Sequence, residues 1–193
     1  MAISALVVVE PVADALVAKI KERAVKLKTG DGTKGADMGP LVTQVHRDKV
    51  ASYVDAGEKE GATIVVDGRT VNPGGNGFWL GPTLIDQVPT TSKVYQEEIF
   101  GPVLSVFAFT DLDEAIREAN ATPFGLQAGV WTSDLRKAHK MARALRVGTV
   151  HVNQYDEDDI TVPFGGYKQS GNGREWGPFA FEDFLEIKAI MGG

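Results

Sequence analysis

The chain has no cysteine in 193 residues. That excludes disulfides, thiolate metal sites and a cysteine nucleophile within this polypeptide. It does not decide compartment; a cytoplasmic location is the default expectation. Histidine is scarce, with three residues, His46, His139 and His151. No two have metal-ligand spacing and no Ser-His-Asp set can be assembled, so no metal site is expected. Long apolar runs are missing too: nothing approaches the roughly 18 residues of a membrane span. Neither sign of charge forms a long block, and the formal net charge is −6. Nucleic acid and anionic membranes are therefore not expected as main partners.

What is present is ordinary for a soluble globular chain: 43% hydrophobic and 24% charged residues. The length suits one domain, or one with an appendage. Such a domain buries roughly 70% of its unfolded surface and needs no disulfide or metal staple. The start, Met1 to Glu10, is apolar but lacks a basic region and a cleavage site. It reads as a strand rather than a secretion signal. A starting Met inside a strand leads to the expectation that the chain begins mid-domain.

Helical and extended patterns alternate. Ser4 to Val9 reads as a strand. Pro11 suits a first helical turn, and Val12, Leu16, Val17, Ile20 and Leu27 recur at helical spacing. Thr43 can cap a helix running to about Glu60, closed by Gly61. Ala62 to Val66 is a strand, and Phe78 to Val88 is extended around Gly81-Pro82. Further strands are expected at Val103–Phe109, Leu126–Trp131 and Thr149–Val152. Helices capped by Thr110 and Ser133 lie between them, and Phe184 to Met191 reads as a last strand. This order implies an α/β fold with a largely parallel sheet covered by helices. Ligands in such sheets sit outside the carboxyl ends of strands. The long loop from Asn153 to Gly177 follows one such end.

Two glycine-rich stretches look like phosphate motifs and are read otherwise. Gly30 to Gly35 matches G-x-G-x-x-G, but a helix precedes it and a loop follows, the reverse of what a dinucleotide fold needs. It reads as a helix-ending loop. Gly165 to Ser170 lacks the spacing of a P-loop. His139 reads as structural and His151 as packed or solvated. Glu97-Glu98-Ile99-Phe100-Gly101-Pro102-Val103 admits two readings. It is either a solvated acidic turn before a strand, or a grip for a sugar hydroxyl and a flat heterocycle.

Taken together, three segments resemble the aldehyde dehydrogenase superfamily: Glu97–Val103, Val152–Tyr155 and Pro163–Glu175. Family members show E-[EQ]-x-F-G-P-V, then V-N-x-Y, then P-F-G-G-x-K-x-S-G-x-G-R-E. Met38-Gly39-Pro40-Leu41 and Gly81-Pro82-Thr83 also match, so the resemblance covers essentially the whole chain. It implies an aldehyde dehydrogenase catalytic domain over residues 1–183 and a C-terminal oligomerisation strand over 184–193. Cofactor contact falls to Glu98, for the nicotinamide ribose, and to Phe100, beside the nicotinamide of NAD or NADP. Phe164, with Asn153, Tyr155, Asp156 and Asp158 from the loop, would line the tunnel for a small aldehyde. Partners implied are a second copy through the C-terminal strand and a separate cofactor-binding chain.

The family nucleophile ends a Gly-[Gln/Glu]-x-Cys segment whose following residues look like Met1-Ala2-Ile3-Ser4. The chain is thus expected to begin one residue beyond the nucleophile. The glutamate base, the oxyanion-hole asparagine and the dinucleotide-binding domain would also lie upstream. In the family a thiolate attacks the aldehyde, donors stabilise the oxyanion, and hydride leaves to the nicotinamide before water releases the acid. No catalytic residue is therefore expected here, and the isolated chain is expected to be inactive. It would be part of an NAD(P)-dependent aldehyde dehydrogenase, or else a non-catalytic assembly module derived from one. Asp156, Glu157, Asp158 and Asp159 repel one another, and a cationic guest relieves that. An ammonium about 4 Å from one carboxylate gains roughly 4 kcal/mol at an effective dielectric of 20, before desolvation. An aminoaldehyde or semialdehyde substrate is expected. The second half resembles γ-glutamyl-aminobutyraldehyde dehydrogenases, and the first half methylmalonate-semialdehyde dehydrogenases.

Overall fold

A computed structural model describes residues 3–154 and 159–192. Contacts divide the chain after Ala115 into two units, each treated by itself. The first holds β1 (Ala5–Val9), α1 (Glu10–Ala24), α2 (Gln44–Lys59), β2 (Thr63–Val66), β3 (Thr83–Asp86), the single-turn α3 (Lys93–Gln96) and β4 (Val103–Phe109). The helix α4 (Leu112–Ala121) spans the division. The second unit holds β5 (Phe124–Gly125), β6 (Gln127–Val130), α5 (Leu135–Ala144), β7 (Thr149–Val152) and β8 (Tyr167–Lys168).

The first unit is a four-stranded sheet ordered β1-β4-β3-β2. β1 and β3 run parallel to β4, while β2 is antiparallel to β3. Alternation along the strands sorts the core into two faces. Val106 and Leu84 cluster with Val8, Ala13 and Val17, the last two from α1. Phe107 and Ile85 cluster with Val50, Tyr53 and Val54 of α2. The sheet is therefore covered by one helix on each face. Val50, Val54, Ile85 and Val106 are completely buried, each worth about 1.5–3 kcal/mol relative to exposure. In the second unit β6 and β7 pair in parallel, and β5 pairs with β8 antiparallel. The α/β class and the mostly parallel pairing agree with the sequence pattern.

α2 ends where its chemistry dictates. Thr43 Oγ1 accepts from the His46 amide at 3.1 Å, and Gly61 takes the left-handed φ of +98° that stops a helix. Other boundaries differ from expectation. α4 is capped by Asp111, whose Oδ2 accepts from the Glu114 amide at 3.1 Å, not by Thr110. α5 is capped by Asp134, whose Oδ1 accepts from the Arg136 and Lys137 amides, not by Ser133. In both places two capping residues adjoin, and the carboxylate reaches the open helix amides. α1 ends at Ala24, leaving Leu27 outside it and half-exposed. Residues 185–192 form no strand, contrary to the expected C-terminal strand. A strand is defined by its ladder, and among the described residues none pairs with this segment. No helix among the described residues is long and apolar enough to cross a membrane.

Candidate active site

The Glu97–Val103 turn belongs to the first unit, and α2 holds it. His46, Val50, Tyr53 and Gly57 fall on one stripe of α2, since residues three and four apart share a helix face. The segment from Ser92 to Gly101 runs back along that stripe. Glu60, just past the helix end, accepts from Ser92 Oγ at 2.6 Å and from the Lys93 amide at 2.8 Å. These two bonds, the Ser92 one first, hold the Glu60 carboxyl below the usual range. A Cβ on Gly57 would stand 3.0 Å from Val94 Cγ2, and one on Gly101 would stand 2.6 Å from Val50 Cγ1. Between them Tyr53 Oη donates to Glu97 Oε2 at 2.6 Å. His46 Nε2 lies 2.8 Å from the Phe100 carbonyl oxygen. A carbonyl only accepts, so Nε2 carries the proton.

Tyr53 is buried, and Lys93 Nζ sits 4.8 Å from its ring centroid. The hydrogen bond to Glu97, then burial, then the Glu97 charge push the Tyr53 hydroxyl up to about 12 from 10.0. A raised folded pKa stabilises fully below the unfolded value. This contribution is thus intact below pH 10 and lost as pH climbs towards 12.

The two carboxylates consequently differ. Glu97 is committed to Tyr53. Glu98 is exposed, and among the described residues it has no recorded hydrogen bond or ion pair. Glu97 is extended, with φ −117° and ψ 151°, so successive side chains point to opposite sides. Glu97, though itself exposed, is tied back to α2 through Tyr53; Ile99 is buried, and Glu98 and Phe100 are exposed. Phe100 takes a φ of +55°, unusual for a bulky residue. Phe100 is 74% exposed, and its ring meets that of His46 edge-on at 6.3 Å.

The second unit carries the other expected residues. Asn153 also has a left-handed φ, +54°, which Asn tolerates better than most. Its Oδ1 accepts from the Thr132 amide at 2.8 Å and its Nδ2 donates to the Thr132 carbonyl at 2.8 Å. The side-chain amide is thus spent on extending the β6–β7 pairing by one step. Phe164 exchanges two backbone hydrogen bonds with Glu175, each 2.7 Å, and its ring lies 5.5 Å from that of Trp176. Arg174 closes the Phe164–Glu175 loop on itself: Nη1 donates to the Gly166 and Gly173 carbonyls at 2.9 and 2.8 Å. Lys168 Nζ donates to the Asn120 and Thr122 carbonyls at 2.8 and 3.0 Å. Burial, then the Arg146 charge, push its pKa down.

Tyr155, Asp156 and Asp158 lie outside the described residues. Of the acidic run, Asp159 is described. Its Oδ1 accepts from the Thr161 hydroxyl and amide at 2.6 and 2.9 Å, which holds the carboxyl low. The Gly30–Gly35 loop forms a short 3₁₀ turn after α1, with Asp31 capping Thr33, and opens no α-helix. Sequence reasoning passed over His46 and Tyr53. The signal was there: they stand seven apart on a helix whose Thr43 cap fixes its phase.

The first unit thus joins a mostly parallel α/β sheet to an acid-and-aromatic turn, and the second carries a glycine-rich loop closed by an arginine. The chain belongs to the aldehyde dehydrogenase family, which matches residues 1–190. It is 42% identical over 188 residues to an aldehyde dehydrogenase of Aspergillus niger, covering 97% of this chain and 37% of that protein. It is 43% identical over 177 residues to the betaine aldehyde dehydrogenase of Brucella anthropi, covering 90% of this chain and 36% of the relative. Among solved structures it superposes on P. syringae AldA indole-3-acetaldehyde dehydrogenase in complex with NAD+ and IAA. There the TM-score is 0.91 at 44% identity, with 96% of this chain and 38% of the other covered. The chain therefore spans little more than a third of the length of these relatives.

Proposed function

We propose that this chain supplies the nicotinamide-ribose grip and part of the aldehyde tunnel of an NAD(P)-dependent aldehyde dehydrogenase, one that oxidises an aldehyde to a carboxylic acid. One observation carries the reading: at the turn, Glu97 is bound to Tyr53, while Glu98 and, two residues on, Phe100 are exposed and open to a ligand. A carboxylate with both oxygens open suits the neighbouring hydroxyls of a ribose, which donate to it. An exposed aromatic face suits a flat heterocycle. NAD or NADP, when bound, supplies the hydride acceptor. Glu98 and Phe100 orient it and hold no proton in transit. Titration with nicotinamide mononucleotide tests the assignment.

Phe164 would line the tunnel with Tyr155, Asp156 and Asp158. Asn153 would act indirectly, since its amide is occupied by Thr132. The run Asp156-Glu157-Asp158 supports a cationic aminoaldehyde as substrate, Asp159 being engaged with Thr161. In a polypeptide that carries the Gly-[Gln/Glu]-x-Cys segment ahead of this chain, Asp158→Asn should raise KM about tenfold for an aminoaldehyde, roughly 1.4 kcal/mol. A neutral aldehyde of similar size should change little. Equal effects on both would sink the charge argument.

A second reading, a non-catalytic assembly module, draws on the exposed apolar residues Phe184, Leu185, Ile187, Ile190 and Met191. These would suit pairing with a second copy through residues 184–193, or complementing a separate cofactor-binding chain. The same titration separates the readings, because a pure assembly module leaves Glu98 and Phe100 unmoved by the mononucleotide.

A further inference from the structure

We propose that His46 and Tyr53 are positioning residues: from one face of α2 they hold the 97–101 turn so that Glu97 is tied to the helix and Glu98 is left open with Phe100. The functional meaning of this rests on the cofactor grip proposed above. The side-chain alternation makes the choice binary. With Glu97 extended, tying it to Tyr53 turns Glu98 to the opposite side, while Ile99 is buried and Phe100 exposed. A slip of one residue would set Glu98 against Tyr53 and expose Ile99.

His46 acts on the other end of the same stretch. It reaches the Phe100 carbonyl rather than only its ring. That bond fixes the peptide that follows a left-handed aromatic residue, a conformation that persists only where its surroundings over-determine it. Gly101 completes the hold, since any Cβ there would drive into Val50. The helix itself is rigidly seated, with Val50 and Val54 fully buried. The turn is thus aligned by an element of the core rather than by its own loop.

Three variants of the 193-residue chain test this: His46→Ala removes the donor, His46→Gln retains an N–H donor, and Tyr53→Phe removes only the hydroxyl. Two amides report on the turn by NMR hydrogen exchange. Glu97 donates to the Lys93 carbonyl and Thr83 to the Pro102 carbonyl. Both should exchange roughly tenfold faster or more in His46→Ala and Tyr53→Phe, while His46→Gln stays within about threefold of the parent. Amides of the β1–β4 ladder should be unchanged. Uniform exchange in all variants overturns the proposal, and so does acceleration spread equally over the β1–β4 ladder. A second arm follows nicotinamide mononucleotide, whose affinity should fall about tenfold in His46→Ala and recover in His46→Gln. If the parent chain shows no shift at Glu98 or Phe100, the cofactor reading fails while the exchange arm still decides the positioning claim.

Discussion

Incubated with NAD+ and a panel of aldehydes, the 193-residue chain should give no sustained rise in NADH absorbance. The composition is the ground for this expectation. No cysteine is present, and the chemistry proposed for the complete protein begins with thiolate attack on the aldehyde carbon. Removing a nucleophile from a well-studied hydrolase costs on the order of 10⁶ in kcat, and a loss of that size places turnover below detection. The proposed grip of Glu98 and Phe100 would align a nicotinamide, but without a tetrahedral adduct the aldehyde has no oxyanion to expel its hydrogen as hydride. A serine is a poor substitute, since a hydroxyl is a weak nucleophile unless a base takes its proton. Steady NADH formation at enzyme-like rates would refute the proposed division of labour.

Gly148→Ala should be the most damaging small substitution in the second unit. A Cβ at Gly148 would stand 1.6 Å from the Gly165 carbonyl oxygen, 2.7 Å from its carbon and 3.3 Å from the Leu126 carbonyl oxygen. All three are backbone atoms, so no rotamer change relieves the clash. Nor can Gly148 retreat, because its amide donates to the Gly125 and Leu126 carbonyls. Forcing a methyl group into such a site costs about 3 kcal/mol, which lowers Tm by roughly 6–12 °C in a chain of this size. The displaced partner is Gly165, next to Phe164, so the Phe164 ring should move as well. Gly32→Ala serves as the control. Nothing lies within 4 Å of its added Cβ, and its Tm should stay within about 2 °C of the parent. Equal melting of the two variants, read by circular dichroism, would contradict the packing described for Gly148.

Much of this was legible from residue pattern because the signals are local. The apolar run Val103–Phe109 became β4 at the expected limits. Thr43 and Gly61 bracketed α2 because a hydroxyl cap and a left-handed stop act within one turn of the helix. The caps of α4 and α5 were less legible, since Thr110-Asp111 and Ser133-Asp134 each offer two candidates and local backbone direction decides. The C-terminal segment shows a different limit. An alternating apolar pattern states a capacity to pair, and a ladder needs a partner strand that the described residues do not provide.

The site divides in the same way. Glu98 and Phe100 stood out as a short motif of acid, ring and Gly-Pro turn. That Glu97 was already committed to Tyr53 could not be read, because Tyr53 and Glu97 lie 44 residues apart and meet only through packing of α2 on the sheet. The left-handed backbone at Phe100 and Asn153 was equally hidden, as each is imposed by a distant partner, His46 and Thr132. The acidic run read as four carboxylates repelling one another; Asp159 is turned back on Thr161 by a local hydrogen bond that its spacing permits.

The most direct measurement is a ¹H–¹⁵N NMR titration of the chain with nicotinamide mononucleotide, repeated on Glu98→Ala and Glu97→Gln. The largest shifts should fall on Glu98, Ile99 and Phe100. Affinity should drop at least about tenfold in Glu98→Ala, equivalent to roughly 1.4 kcal/mol. Glu97→Gln, whose side-chain carbonyl still accepts from Tyr53, should bind within about threefold of the parent. Shifts that miss the turn, or a Glu98→Ala chain that binds as well as the parent, would contradict the assignment of Glu98 and Phe100 as the nicotinamide-ribose grip.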